Sequence, residues 1–429
     1  MGQELQRTRP LPFHSPQNAQ SASSDSPATP ITDVFPQGRE RRVLIVGGST
    51  RAAASSARRA GLQPICADRF ADHDTRQFAE VIPVRSFPES LPDDVADVRA
   101  DGWFYTGALE NRPDLIERMD HAGASYGPLW GTRSAALKQI RDPFWIAETL
   151  RQSGHCALEV KTQATEPSAD GTWMLKPISS AGGRAVSIWN ESRRSQGINE
   201  PVYFQRLCQG DPLSAVFRCE PTGITLLGMS RQLPGHVLSE AAAPFLYGGS
   251  LGPIPCEQPT DLHFAIGELV TSQLQSLANG CQLRGIIGVD FISDENGIPW
   301  ILEVNPRYTA SVEILELSSQ QSFLEKSGEE SHLRPSNERP IVIKLIVYAP
   351  RSVVIGDLTQ LASTDVWTIP SIADIPVPRS QIHAGWPICT VFSHGTTEEE
   401  CVARLKRRVD TVWKMVNYRG DEPVERFQE

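Results

Sequence analysis

Long hydrophobic runs are missing from this sequence. None approaches the roughly 18 to 20 apolar residues that span a bilayer, and the amino terminus lacks the apolar core of a signal peptide. A cytoplasmic chain with no membrane partner is expected. Basic residues are in deficit, 41 Lys and Arg against 51 Asp and Glu for a formal net charge of -10, which argues against a phosphate-backbone footprint and so against nucleic acid as a partner. Cysteine motifs are missing as well: the residues at 66, 156, 208, 219, 256, 281, 389 and 401 include no C-x-x-C pair and no His at zinc-ligand spacing. They read as reduced, mostly buried thiols. There is no Walker A sequence, no repeat at a solenoid period and no compelling Ser-His or Cys-His arrangement, so no side-chain nucleophile is expected.

What remains is the make-up of a globular chain of 429 residues, enough for two or three domains. Residues 1–39 are rich in Ser, Pro, Gln and Asn and read as a disordered tail. Arg7 and Arg9 among serines invite a transit-peptide reading, against which stands the lack of an amphipathic apolar face. Residues 42–48 (RVLIVGG) form the continuous β-branched run of a strand buried on both faces of a parallel sheet. A helix over 49–60 and a strand over 62–68 complete a βαβ unit, and the alternation continues to about Pro128. Gly47, Gly48 and Asp68 suggest a dinucleotide site, but the G-x-G-x-x-G spacing is absent.

Ser134 can cap a helix that Pro143 must kink or restart, with Ile146, Ala147 and Leu150 as its apolar positions. Short strands and Gly-rich turns follow from Trp173, then a helix over about 261–278 with Leu262, Ile266, Leu269, Val270, Leu274 and Leu277 as its core stripe. Residues 320–339 read as a linker. Strands are expected over 341–349, 353–355 and 388–392, and Thr396 or Thr397 with Glu399 or Glu400 makes a capping box for a last helix to about Val416.

The most informative stretch is 285–307 (GIIGVDFISDENGIPWILEVNPR), two β-rich runs around a polar turn. Glu303 and Asn305 lie two apart and share a face, and a four-residue loop sets Asp290 opposite Glu303. Two carboxylates and an amide oxygen then converge with no basic neighbour in the strands, an oxygen-only set suited to Mg²⁺ carrying nucleotide phosphates. The plainer reading is a solvated polar face, but the flanking Ile301, Leu302 and Val304 favour burial, and buried carboxylates need a cation or a partner. Upstream, Lys176 ends a strand and leads into Ser179-Ser180-Ala181-Gly182-Gly183, a small-residue loop able to lay backbone N–H groups on phosphates.

With these residues in view the chain resembles the ATP-grasp enzymes, which carry an acidic residue in one strand and Glu-x-Asn in the next, here Asp290 and Glu303-Val304-Asn305. The run LEVNPRYTASVEILE is similar to a branch of predicted carboxylate-amine ligases that includes tyramine–L-glutamate ligase of methanofuran biosynthesis, and the likeness covers most of residues 42–420. The resemblance implies an α/β and α+β chain with an ATP-grasp fold. It divides into a Rossmann-like pre-grasp domain over 40–130, the grasp over 131–325 and a small α+β domain over 340–420. It implies ATP and Mg²⁺ as cofactors, with Mn²⁺ able to substitute, and metal ligation by Asp290, Glu303 and Asn305.

The resemblance assigns Lys176, Ser180, Gly182 and Gly183 to the phosphates, Gln205, Arg206 and Leu207 to the adenine hinge, and Arg307 and Arg231 to catalysis. Two positions depart from the pattern. The ribose-binding acid falls on Pro212, leaving Asp211 one residue early, and an Asp-Lys pair is replaced by Asp142-Pro143, with Lys138 one turn away. Tyr247-Gly248-Gly249-Ser250 and the stretch from Ala373 through GWPICTVFSHG match the branch without an evident role. The implied partners are a small-molecule carboxylate, L-glutamate in that branch, and an amine such as tyramine; a homodimer is compatible with it. Alternatives are a biotin-carboxylase-like or peptide-forming ligase, an ATP-binding module without catalysis, and a dinucleotide oxidoreductase using the first βαβ unit.

Overall fold

A computed structural model of the chain describes residues 40–121, 125–235, 243–325 and 338–416. The expected tail over 1–39 and most of the expected linker over 320–339 lie outside the described residues.

The β-branched run at the start forms β1 (Arg42–Gly47), and Val43 to Val46 are fully buried, as a strand covered on both faces requires. It pairs in parallel with β2 (Gln63–Asp68) and β4 (Trp103–Tyr105); β3 (Glu80–Pro83) completes a four-stranded sheet in the order β3-β2-β1-β4. The crossover helix Arg51–Arg59 buries Ala53, Ala54 and Ala57. This is the expected βαβ unit. Its carboxyl edge, where β1, β2 and β4 end, faces the rest of the molecule.

A second four-stranded sheet, β5-β8-β6-β7, is built from β5 (Val160–Thr162), β6 (Asp170–Pro177), β7 (Ser187–Asn190) and β8 (Val202–Arg206). The remaining strands are β9 (Asp211–Glu220), β10 (Gly223–Pro234), β11 (Tyr247–Ile254), β12 (Gly285–Ser293), β13 (Pro299–Asn305), β14 (Ile341–Tyr348), β15 (Val353–Val354), β16 (Ile372–Ala373), β17 (Gln381–Ile382) and β18 (Pro387–Gly395). Eight of them make one sheet in the order β13-β12-β9-β10-β11-β14-β18-β16, while β15 and β17 form a separate ribbon. The strands expected in a separate small domain therefore extend the large sheet through the β11–β14 pairing. That junction depends on Gly249, where a Cβ would stand 2.0 Å from the Lys344 carbonyl oxygen.

The helix Phe264–Gly280 packs Ile266, Val270, Leu274 and Leu277 under this sheet, but Leu262 and Leu269, expected in the same stripe, are exposed. Leu262 precedes the helix and its periodicity does not apply there. The last helix, Glu398–Val416, opens where Thr396 N donates to Glu400 Oε2 at 3.0 Å and Glu400 N to Thr397 Oγ1 at 3.3 Å, so the two halves of the expected capping box fall on neighbouring threonines. Six of the eight cysteines are buried, and all are free. Among the described residues no helix is long and apolar enough to cross a membrane.

The helix Ala310–Ser319 is buried from Ser311 to Ser319, between the large sheet and the helix Arg51–Arg59. Its two acids are matched there. Glu313 pairs with Arg51 and, at 3.2 Å, with Lys344, while Glu316 pairs with Arg59 and accepts from Ser56 Oγ at 2.5 Å. Burial pushes the Glu313 carboxyl up, but Arg51 and Lys344 outweigh it and hold the group at about 2. These pairs fasten the first sheet to the large one and fix the gap between them.

Candidate active site

The β12–β13 hairpin sets Asp290 opposite Glu303 and Gly288 opposite Asn305. The expected pairing is reached by another route, because the loop between Ser293 and Pro299 has five residues and a bulge between Asp290 and Phe291 restores the register. Asp294 holds that loop, accepting from Asn296 N at 2.9 Å, Ile298 N at 3.0 Å and Trp300 Nε1 at 2.9 Å.

Asn305 is buried and its Nδ2 donates to Asp290 Oδ2 at 2.9 Å and to Glu303 Oε1 at 3.4 Å, so the three side chains form one group. Both carboxylates are half-buried. Burial and then the charge of Glu303 push Asp290 up to about 6, against hydrogen bonds from Ser214 and Gln232. Burial raises Glu303 too, but Arg141, Lys176 and Arg307 bring it below the ordinary carboxylate range. The pair thus divides unequally, with Glu303 holding the charge and Asp290 retaining the proton to higher pH.

The expectation of no basic neighbour covers the strands alone; from outside them Arg141 reaches the set, and its guanidinium donates to Glu303 Oε2 at 3.1 Å. It arrives from the end of the short helix Ser134–Ile140, just before Asp142 caps the helix that Pro143 restarts. Lys138, one turn from the departed Asp-Lys position, reads as a surface lysine and is one: it is exposed and pairs with Glu117 at 3.5 Å. The signal for Arg141 was its place beside the departed Asp-Lys pair.

Lys176 ends β6 half-buried and donates to Gln205 Oε1 at 2.7 Å, while Gln205 Nε2 donates to the Leu302 carbonyl at 3.4 Å. Burial pulls the Lys176 ammonium down, and Glu303 and Asp290 work against it. Gln205 also lines an apolar cleft with Pro143, Ile146, Val160, Ile301 and Leu302. The N–H groups of Arg206 and Leu207 are already committed, to the carbonyls of Glu159 at 2.8 Å and Thr172 at 3.0 Å, and the Arg206 guanidinium lies outside, over Trp173.

After Lys176 the loop is pinned on two sides. Ser180 O accepts from Asn111 Nδ2 at 3.1 Å and Gly182 O from Tyr247 N at 2.8 Å. Gly183 has φ +75, and a Cβ there would stand 1.8 Å from the Phe245 carbonyl oxygen. The N–H groups of Ser180, Gly182 and Gly183 make no hydrogen bond among the described residues and are free for an anion. Ser250, in the branch motif, shares hydrogen bonds with Tyr247 at 2.6 Å and Ser311 at 3.3 Å.

Arg307 reaches the carboxyl edge of the first sheet. Its guanidinium donates to Glu110 Oε1 at 2.6 Å and to Asn305 Oδ1 at 3.2 Å, and it lies beside Gly107. Arg307 Nε and Glu110 Oε2 are buried without hydrogen-bond partners, so this corner has polar capacity to spare.

Arg231 and Asp211 are not brought to this group. Gln232 and Ser214 hydrogen-bond Asp290, and since neighbours on a strand point to opposite faces, Arg231 and Leu213 face away, with Asp211 on the Leu213 side. There Arg231 pairs with Glu398 at 2.9 Å, and both it and Asp211 act on His263.

A divalent cation suits this donor set. Among the described residues no three His, Cys, Asp or Glu side chains gather as for a protein-only metal cage. Two carboxylates and an amide instead leave positions for phosphate oxygens or water. The adjacent carboxylates, with Asp290 pushed up by burial and then by Glu303, carry a repulsion that a cation would relieve.

Comparison with known proteins bears on the fold. Residues 145–311 match the ATP-grasp domain. An uncharacterized protein of Methanocaldococcus jannaschii is 26% identical over 249 residues, 56% of this chain and 57% of that protein. The matched region spans a little over half the length of that relative. An L-amino acid ligase from Bacillus licheniformis superposes with a TM-score of 0.63 at 16% identity, covering 88% of this chain and 98% of that one. The biotin carboxylase domain of Hydrogenobacter thermophilus 2-oxoglutarate carboxylase, a dimer in complex with MgADP, ADP and bicarbonate, gives 0.62 at 14% identity over 86% and 90%. N5-carboxyaminoimidazole ribonucleotide synthetase from Thermotoga maritima gives 0.57 at 15% identity over 86% and 98%. At these identities the likeness is one of fold.

Proposed function

We propose that this chain, which carries an ATP-grasp domain and has the ATP-grasp fold, is an ATP-dependent ligase that activates a carboxylate as an acyl phosphate and passes the acyl group to an amine. The observation that carries the reading is the Asp290–Glu303–Asn305 group, flanked by Lys176 on one side and Arg307 on the other, under the carboxyl edge of a parallel sheet.

Asp290, Glu303 and Asn305 would hold Mg²⁺, which when bound neutralises phosphate charge and orients the nucleotide. Lys176 supplies a fixed charge at the phosphates, and the free N–H groups of residues 180–183 cradle them. Arg307, fixed by Glu110, binds the carboxylate so that one oxygen attacks the γ-phosphorus in line as ADP leaves. The amine nitrogen then attacks the acyl carbon, phosphate departs with the C–O bond's electrons, and the nitrogen loses a proton. L-glutamate as donor and tyramine as acceptor follow from the branch resemblance. Manganese is expected to replace magnesium.

The test is phosphate and ADP release from Mg-ATP with L-glutamate, with and without tyramine, and with Glu303→Ala as control. Turnover needing both substrates supports the full reading. Turnover driven by bicarbonate without any amine would move the assignment to a carboxylase-like ligase. A second reading, an ATP-binding module without turnover, draws on Arg141 occupying a Glu303 oxygen. It predicts nucleotide binding with turnover at background in both wild type and Glu303→Ala.

A further inference from the structure

Two arginines outside the site just described converge on one indole. Arg69 Cζ lies 4.7 Å and Arg184 Cζ 5.8 Å from the Trp386 ring centroid, and Phe70 packs edge-on against the same ring at 6.5 Å. They come from three parts of the chain. Arg69 and Phe70 follow β2, Arg184 belongs to the glycine loop after Lys176, and Trp386 precedes β18, held by hydrogen bonds with His383 and Ala349.

Stacking occupies the faces of a guanidinium and leaves its N–H edge free. Both arginines are exposed, Trp386 is half-buried, and neither guanidinium has a hydrogen bond or ion pair among the described residues. Sharing one ring keeps the two charges within about a Debye length, ~10 Å, of each other. One cation on an indole is a common surface contact. Two, without ion pairs among the described residues and drawn from separate segments, bring together like charges that an anion within reach of both would relieve.

The cluster is also placed for a substrate. Arg69 N donates to Gly47 O at 3.4 Å and Gly48 N to Gly107 O at 3.0 Å, and Gly107 lies beside Arg307. Arg69 and the Arg307 corner therefore sit on the same carboxyl edge, with β1 between them.

We infer that Arg69, Arg184 and Trp386 form an anion subsite that holds the second, unreacted carboxylate of a dicarboxylic donor whose other carboxylate is bound at Arg307. The identity of the donor rests on the ligase reading; the subsite does not. Its third wall, Arg184, lies in the glycine loop, so donor binding and loop position are tied together.

The test is calorimetric titration of the full chain with L-glutamate, glutarate, butyrate and inorganic phosphate, without nucleotide and with a non-hydrolysable ATP analogue. L-glutamate and glutarate are expected to bind at least tenfold more tightly than butyrate, and Arg69→Ala and Arg184→Ala each to remove tenfold or more of that advantage. Trp386→Phe keeps a ring and should lose less. Equal affinity of wild type and both arginine variants for the dicarboxylates would overturn the inference, as would no dicarboxylate binding in either state. So would arginine-dependent binding of phosphate alone. Dicarboxylate binding that depends on the arginines without ATP turnover would sink the ligase reading and leave the subsite; turnover with arginine-independent binding would do the reverse.

Discussion

The buried charges around the helix Ala310–Ser319 and the charges at the candidate active site differ in how they are closed. In the first region both acids of the helix have their cations: Glu313 has Arg51 and Lys344, and Glu316 has Arg59. In the second, two carboxylates face each other, Arg307 Nε and Glu110 Oε2 lack partners, and the loop N–H groups point to no acceptor. A closed network can only hold surfaces together. An open one leaves interactions for a ligand to complete, at the cost of local repulsion. The contrast separates the frame of this protein from its candidate site.

The largest effect that would sharpen this contrast is on stability. Glu313→Gln leaves Lys344 buried without its carboxylate and should lower the unfolding free energy by about 3 to 5 kcal/mol. Urea denaturation at neutral pH checks it, and a loss under about 1 kcal/mol would remove the distinction between frame and site. The pH dependence has a fixed sign. Glu313 is held at about 2, below its unfolded value of about 4.5, so its contribution is complete above pH ~4.5 and is lost as the pH falls toward 2. By linkage that contribution is about 3 kcal/mol, so the gap between wild type and Glu313→Gln should narrow across that window.

The next effect is on nucleotide use. Arg141 is the one cation in direct contact with Glu303 among the described residues, so Arg141→Ala should change function without unfolding the protein. The expected result is a rise of about tenfold in KM for ATP, near 1.4 kcal/mol, with partial recovery in Arg141→Lys. A lower KM in Arg141→Ala would mean that Arg141 competes with the nucleotide and its cation for Glu303, and would favour the module without turnover.

The difference between these regions was legible in the sequence only where spacing alone carries it. The β-branched run of β1 announces a strand buried on both faces, and Glu303 and Asn305 two apart must share a face. The five-residue loop and the bulge were not visible, because each shifts the register and the two cancel. Arg141 was missed because its contact spans 162 positions along the chain. The union of β11 with β14 was hidden for the same reason, since a strand's partner is not written in its own pattern.

The smallest predicted effect falls on a single strand, where the contrast is drawn between neighbours. Arg231 and Gln232 are adjacent in β10, one facing Glu398 and the other Asp290. A charged residue near the candidate site is the more attractive catalytic candidate, yet strand alternation gives the contact to the neutral one. Gln232→Leu, which removes a hydrogen bond from Asp290, should slow turnover by about five- to tenfold, a loss of roughly 1 kcal/mol. Arg231→Ala breaks a half-exposed ion pair and should leave turnover within about threefold of wild type. Steady-state rates of the two variants decide the matter. If Arg231→Ala proves the slower enzyme, Arg231 reaches the substrate in a closed form of the protein, and the face that bears it belongs to the site after all.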